Sequence, residues 1–80
     1  MKYEVVTVND DNDEIKIEII ESDKMELIDF INEYWEMDES ELIDDERIDS
    51  DEWKNGGVFE RKDDKIIFIT DVGEVIFSKV

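Results

Sequence analysis

The chain contains no cysteine, histidine, proline, alanine or glutamine, and only three glycines. Without cysteine there is no disulfide staple and no thiolate nucleophile, and thiol usage gives no reading of redox compartment. Without histidine the commonest acid–base group near neutral pH and the commonest metal ligand are both missing. Ser22, Ser40, Ser50 and Ser78 therefore have no imidazole to activate them. There is no Gly-rich phosphate cradle and no H-E-x-x-H signature. Paired carboxylates can act as general acid and base, but they need a cleft that raises one pKa. Eighty residues leave little room for one. No apolar run approaches the roughly 20 residues of a membrane span. Met1-Lys2 opens directly into strand-like alternation, not into the apolar core of a signal peptide. These absences point to a soluble, cytoplasmic, non-enzymatic single domain, 1–80, with no cofactor and no metal.

What is present is acid. Twenty-six carboxylates against nine cationic side chains leave a formal net charge of −17. Residues 36–52, EMDESELIDDERIDSDE, carry ten acids and one base, Arg47, a net −9. From Glu21 to Glu52 there are 15 acids and two bases, so −13 of the −17 lies in that part of the chain. Low hydrophobicity with high charge signals disorder. Here 40% of residues are hydrophobic and they are grouped and periodic, which reads as a folded domain with an acidic surface. So small a chain buries only about 60 to 65% of the surface its unfolded form exposes, which leaves little stability to spare.

Residues 2–9 are rich in β-branched and aromatic types, and 14–21 alternate strictly, with Ile15, Ile17 and Ile19 on one side and Lys16 and Glu18 on the other. Asp10-Asp11-Asn12-Asp13 between them predicts a hairpin. Asp23 with Glu26 three residues later fits a capping box. Leu27, Ile28, Ile31, Tyr34 and Trp35 then form one stripe of 3.6-residue period, widened by Phe30 and Met37, which predicts a helix over 23–37. Leu42, Ile43 and Ile48 share no helical face. A second short helix over 39–46, capped by Asp38 or Ser40, followed by an irregular segment, fits better than one long helix. Trp35 and Trp53 are expected to anchor on the core. Asn55-Gly56-Gly57 marks a turn. Three strand-like runs follow, 58–61, 66–70 and 75–79, parted by Asp63-Asp64 and by residues 71–74. The expected fold is α+β: a small antiparallel sheet in the order β-β-α-(α)-β-β-β with one main helix packed on it. An exposed strand edge at 2–9 or 75–80 would let a second copy pair, but nothing in the sequence decides the oligomeric state.

Charge placement is the informative functional signal. Were residues 36–52 helical, nine net charges would fall one per roughly 2.8 Å, close to the about 3.4 Å phosphate spacing along one DNA strand. An EF-hand count from Asp10 places Asp10, Asn12, Glu14 and Glu21 at ligand positions. It also puts Ile15 where the loop needs glycine. Asp44, Asp45, Asp49 and Asp51 are expected to attract cations diffusely and to form no site. Direct nucleic-acid binding and membrane binding have the wrong sign. Arg61, Lys62 and Lys65 are expected to offset nearby carboxylates. A plain solvated face would explain an ordinary charge excess. At −17 in 80 residues, however, self-repulsion works against compaction.

In small size, net charge and carboxylates grouped on a helix–loop face, the chain resembles the phage DNA-mimic inhibitors of the anti-CRISPR and anti-restriction type. The likeness is one of class and carries over no residue. It implies a partner that is a basic nucleic-acid-binding protein, whose groove the acids occupy. The charge reading selects Glu33, Glu36, Asp38, Glu39, Glu41, Asp44, Asp45, Glu46, Asp49, Asp51 and Glu52 as the partner-binding set, each accepting from Arg or Lys in place of a phosphate oxygen. Leu42, Ile43 and Ile48, if exposed, would add apolar anchors. Two alternatives stand beside this: an immunity protein or antitoxin for a basic nuclease toxin, and an assembly domain with a merely solvated acidic face.

Overall fold

The computed structural model describes residues 1–50, 53 and 56–80. The elements are β1 (Lys2–Asn9), β2 (Glu14–Glu21), α1 (Leu27–Tyr34), a 3₁₀ turn (Glu39–Glu41), α2 (Asp45–Ile48), β3 (Gly57–Lys62), β4 (Lys65–Thr70) and β5 (Gly73–Lys79). The expected α+β order is present: one five-stranded sheet, every pairing antiparallel, and one main helix. Among the described residues no helix is long and apolar enough to cross a membrane.

The strand order is β2-β1-β5-β4-β3. The expectation of a free edge at 2–9 or 75–80 is therefore wrong, because β1 and β5 pair with each other and lie inside the sheet. The β1–β2 hairpin and the β3–β4–β5 meander each present a strand with unmet backbone groups, and joining them satisfies both. The edges are β2 and β3. The junction is tight at Gly73, whose φ is +156° and where a Cβ would lie 1.9 Å from the Val8 carbonyl oxygen.

Alternation sends Tyr3, Val5, Phe59, Ile66 and Phe77 to one face, where they meet Phe30, Ile31, Ile43 and Ile48 in a single buried cluster. Aromatic rings run through it. Tyr3 stacks on Phe30 at 4.2 Å, and Trp35 meets Phe77 edge-on at 5.1 Å and Phe68 at 5.3 Å. Trp53, expected on the core, is 58% exposed instead. Ile15, Ile17 and Ile19 do share a face, but it is the face away from the helices, and they are 56 to 66% exposed. Their inward neighbours on β2 include Glu18, which accepts a 2.9 Å hydrogen bond from the Tyr34 hydroxyl.

α1 begins four residues later than the expected start at 23, and its N-cap, Glu26, makes no side-chain cap bond. The preceding residues are held by other contacts. Ser22 Oγ accepts from the Lys24 N–H and donates to Glu33, and the Tyr3 hydroxyl donates to the Lys24 carbonyl at 2.8 Å. The helix also ends early. Glu36 takes a left-handed conformation (φ +51°), its N–H bonding back to Glu33 and that of Met37 to Asn32. That pair of bonds is a Schellman closure.

Candidate functional site: an acidic layer over one sheet face

The run after α1 is not one helix and not the single short helix expected over 39–46. It forms a 3₁₀ turn over Glu39–Glu41, extends at Leu42 (ψ 136°), and forms one α-turn over Asp45–Ile48. The regular helical charge spacing is thus not realised. The break follows from the apolar residues. Ile43 and Ile48 are buried while Leu42 is 52% exposed, a pattern no single helical face supports. Only Leu42 of the three proposed apolar anchors is therefore available at the surface. Neither Asp38 nor Ser40 caps by its side chain; the working cap is Asp44, which accepts from the Arg47 N–H at 2.9 Å.

Asn32 on α1 holds this segment in place. Its Nδ2 donates to the Ile43 carbonyl at 2.9 Å and to the Ile28 carbonyl at 3.2 Å, while its Oδ1 accepts from the Ile43 N–H at 2.8 Å. The extended stretch around Ile43 thereby finds both partners that a helix would otherwise have supplied. A second tie comes from β3. Arg61 donates to Asp45 at 2.9 Å and to Asp49 at 3.2 Å. Arg61 was expected to offset nearby carboxylates. The two it pairs with lie 16 and 12 residues away in sequence and belong to the acidic segment itself. The pairs are exposed and worth about 0–1 kcal/mol each, so their effect is on placement more than on stability.

Nine of the eleven selected acids lie among the described residues; Asp51 and Glu52 fall outside them. All nine are exposed and all sit in the layer that covers one sheet face, on α1 and the segment after it. Four have work within the chain: Glu33 with Ser22, Asp44 as cap, and Asp45 and Asp49 with Arg61. The other five, Glu36, Asp38, Glu39, Glu41 and Glu46, have no side-chain partner among the described residues. The fold adds acids that charge counting did not select. A hollow of about 480 Å³ between α1, the acidic segment and the β3–β4 turn is lined by Glu26, Asp29, Asp63 and Asp64 as well as Asp44 and Asp45. Their only sequence signal was local polarity. Among the described residues no group of carboxylates is arranged to hold a metal ion.

Beside this lies a second hollow of about 610 Å³ with an aromatic floor, Trp35, Phe59 and Phe68, and a rim that includes Glu41, Leu42 and Asp44. Arg47 stands over the Phe59 ring at 5.2 Å. This floor already accepts a guanidinium from within the chain, and the rim supplies anions around it.

The opposite sheet face has a different charge. By strand alternation and register its side chains include four acids, Glu4, Glu21, Glu60 and Glu74, and three bases, Lys2, Lys62 and Lys65. One side of the sheet thus carries the bulk of the negative charge and the other is close to neutral. No protein-family model, no curated protein and no solved structure matches this chain.

Proposed function

We propose that this protein is an acidic nucleic-acid mimic, which occupies the DNA- or RNA-binding groove of a basic nucleic-acid-handling enzyme and blocks it, as in phage counter-defence. The observation that carries the reading is the one-sided array: nine exposed carboxylates on a single layer, five of them unpaired among the described residues, fastened by Asn32, the Asp44 cap and Arg61. Fixed anions that need no reordering on binding lose less conformational entropy than a floppy acidic tail. Their field speeds encounter with a cationic groove and makes affinity fall as salt rises. Leu42 and the aromatic-floored hollow beside it supply apolar contact at the centre of the array.

The test is capture from the native host on two baits, the wild-type chain and a variant with Glu36, Asp38, Glu39, Glu41 and Glu46 changed to their amides. The proposal expects basic nucleic-acid-binding proteins on the first bait only, released by salt and displaced by duplex DNA or by RNA. A single nuclease encoded beside this chain would make it a toxin neutraliser acting through the same layer. Identical capture on both baits, or capture that neither duplex DNA nor RNA displaces, would refute the mimicry.

A further inference from the structure

The sheet face turned away from the helices is covered by no described element and carries an apolar band across its middle. Antiparallel sheets with one solvated face normally alternate apolar inward and polar outward. Here the apolar outward positions form one band among the charged ones: Ile15, Ile17 and Ile19, well exposed on the edge strand, and Val6, Ile76 and Ile67, half-buried across the middle. The accessible surface of the chain, 5585 Å², exceeds the about 5,000 Å² expected of a folded monomer of 9.5 kDa.

We propose that a second copy of the chain covers it, sheet against sheet, in a twofold dimer. Five strands about 4.8 Å apart and about seven residues long give a footprint of about 570 Å² per copy, or about 1,150 Å² for the pair. That is close to the lower bound of specific interfaces and above most lattice contacts. Charge favours this face over any other. It carries four acids and three bases while the whole chain carries −17. Two helix layers each about 10 Å thick and a sheet separation of about 10 Å would hold the two acidic layers about 30 Å apart. That is several screening lengths at physiological salt.

The register supplies self-complementarity. β5 is the middle strand, and one row across the sheet reads Lys65–Ser78–Glu4. A twofold axis lying along β5 between the sheets reverses each row onto itself. Lys65 of each copy then faces Glu4 of the other, Ile67 faces Val6, and Ile76 faces its own counterpart. An isologous interface requires this kind of matching. The same operation brings Glu74 near its counterpart at one end of the axis, a local like-charge cost. The dimer would display two acidic layers on opposite outer sides, and the inference does not depend on what those layers bind.

Sedimentation equilibrium of the full chain, from about 1 µM to about 300 µM, is the test. The expected result is a mass that rises to twice the monomer value and self-association that tightens with salt. Ile76→Lys is expected to weaken association by about a hundredfold or more, since it sets two like charges against each other on the twofold axis at the centre of the face. Lys65→Glu is expected to weaken it, Lys65→Glu with Glu4→Lys to restore it, and Glu74→Gln to strengthen it. Near-UV circular dichroism at dilute, monomeric concentration controls for folding of each variant. A wild-type chain that stays monomeric throughout overturns the proposal. So does a dimer that Ile76→Lys leaves intact, or one that the double charge swap does not rescue.

Discussion

Replacing Asn32 by aspartate separates amount of charge from placement of charge. The change is nearly isosteric and adds one carboxylate to an already acidic layer. It keeps an acceptor for the Ile43 N–H but removes both donors, the 2.9 Å bond to the Ile43 carbonyl and the 3.2 Å bond to the Ile28 carbonyl. A carboxylate oxygen then faces a carbonyl oxygen at hydrogen-bond distance. A buried acceptor left without its donor costs about 1–3 kcal/mol. Ile43 is 8% exposed, so the larger part of that penalty applies, and the electrostatic conflict adds to it. The sum is about 2–3 kcal/mol, or about 10–20 °C in Tm for a domain of this size. Urea denaturation measures the global cost. Amide exchange at Ile43 and its neighbours measures the local one, which should rise about 30- to 100-fold if the segment opens by itself. If binding depends on a placed array, Asn32→Asp weakens capture of the partner although the net charge is more negative. If it binds as well as or better than wild type at full stability, the argument from placement fails.

Three further outcomes follow from the same contacts. Glu36→Gly should raise stability by about 0.5–1 kcal/mol, read as a higher urea midpoint. It relieves a left-handed φ and removes an anion from the negative end of a helix, and it should weaken partner binding at the same time. Raising NaCl from about 10 mM to about 500 mM should raise Tm, because screening relieves self-repulsion faster than it weakens the few exposed ion pairs; a flat or falling Tm would count against a dominant repulsive term. Burial, and then the hydrogen bond to Glu18, raise the pKa of Tyr34 above 10.0, and burial does the same for Tyr3. The folded state therefore holds these protons longer than the unfolded state. Their contribution is complete below about pH 10 and is lost as pH climbs through the folded values. Tyr34→Phe should flatten the fall of the urea midpoint with pH in that range.

The strands and turns were legible because strand alternation and turn chemistry are local. Asp10–Asp13 and Asp63–Asp64 turn where their polarity says they should, with Asp13 and Asp63 both at φ +56°. What was not legible came from long-range contacts. The helix start shifted because Tyr3, twenty-one residues away, takes the Lys24 carbonyl. Three misaligned apolar residues ruled out one long helix, but the expected short helix over 39–46 ran through Leu42, where the chain in fact extends, and Asn32, which stabilises that break, was not foreseen. An asparagine at helical position 32 gives no pattern of its own. Alternation in β2 correctly grouped three isoleucines yet could not say which face was core, since either side of a strand can be turned inward. The acidic layer itself was visible as composition. That Arg61 consumes two of its members was not, because Asp45 and Asp49 reach it only across the packed fold.

The central strand pair joins Tyr3 to Lys79, almost the full length of the chain. Loop-closure entropy makes such a contact among the last to form, and topologies dominated by distant pairings fold slowly. During synthesis the β1–β2 hairpin and α1 emerge with no β5 to rest on, so Phe30 and Tyr34 lack Phe77 beneath them until β5 itself leaves the ribosome. Nascent chains would thus be neither rigid nor competent to bind, and any truncation ahead of β5 removes the middle of the sheet rather than trimming its border.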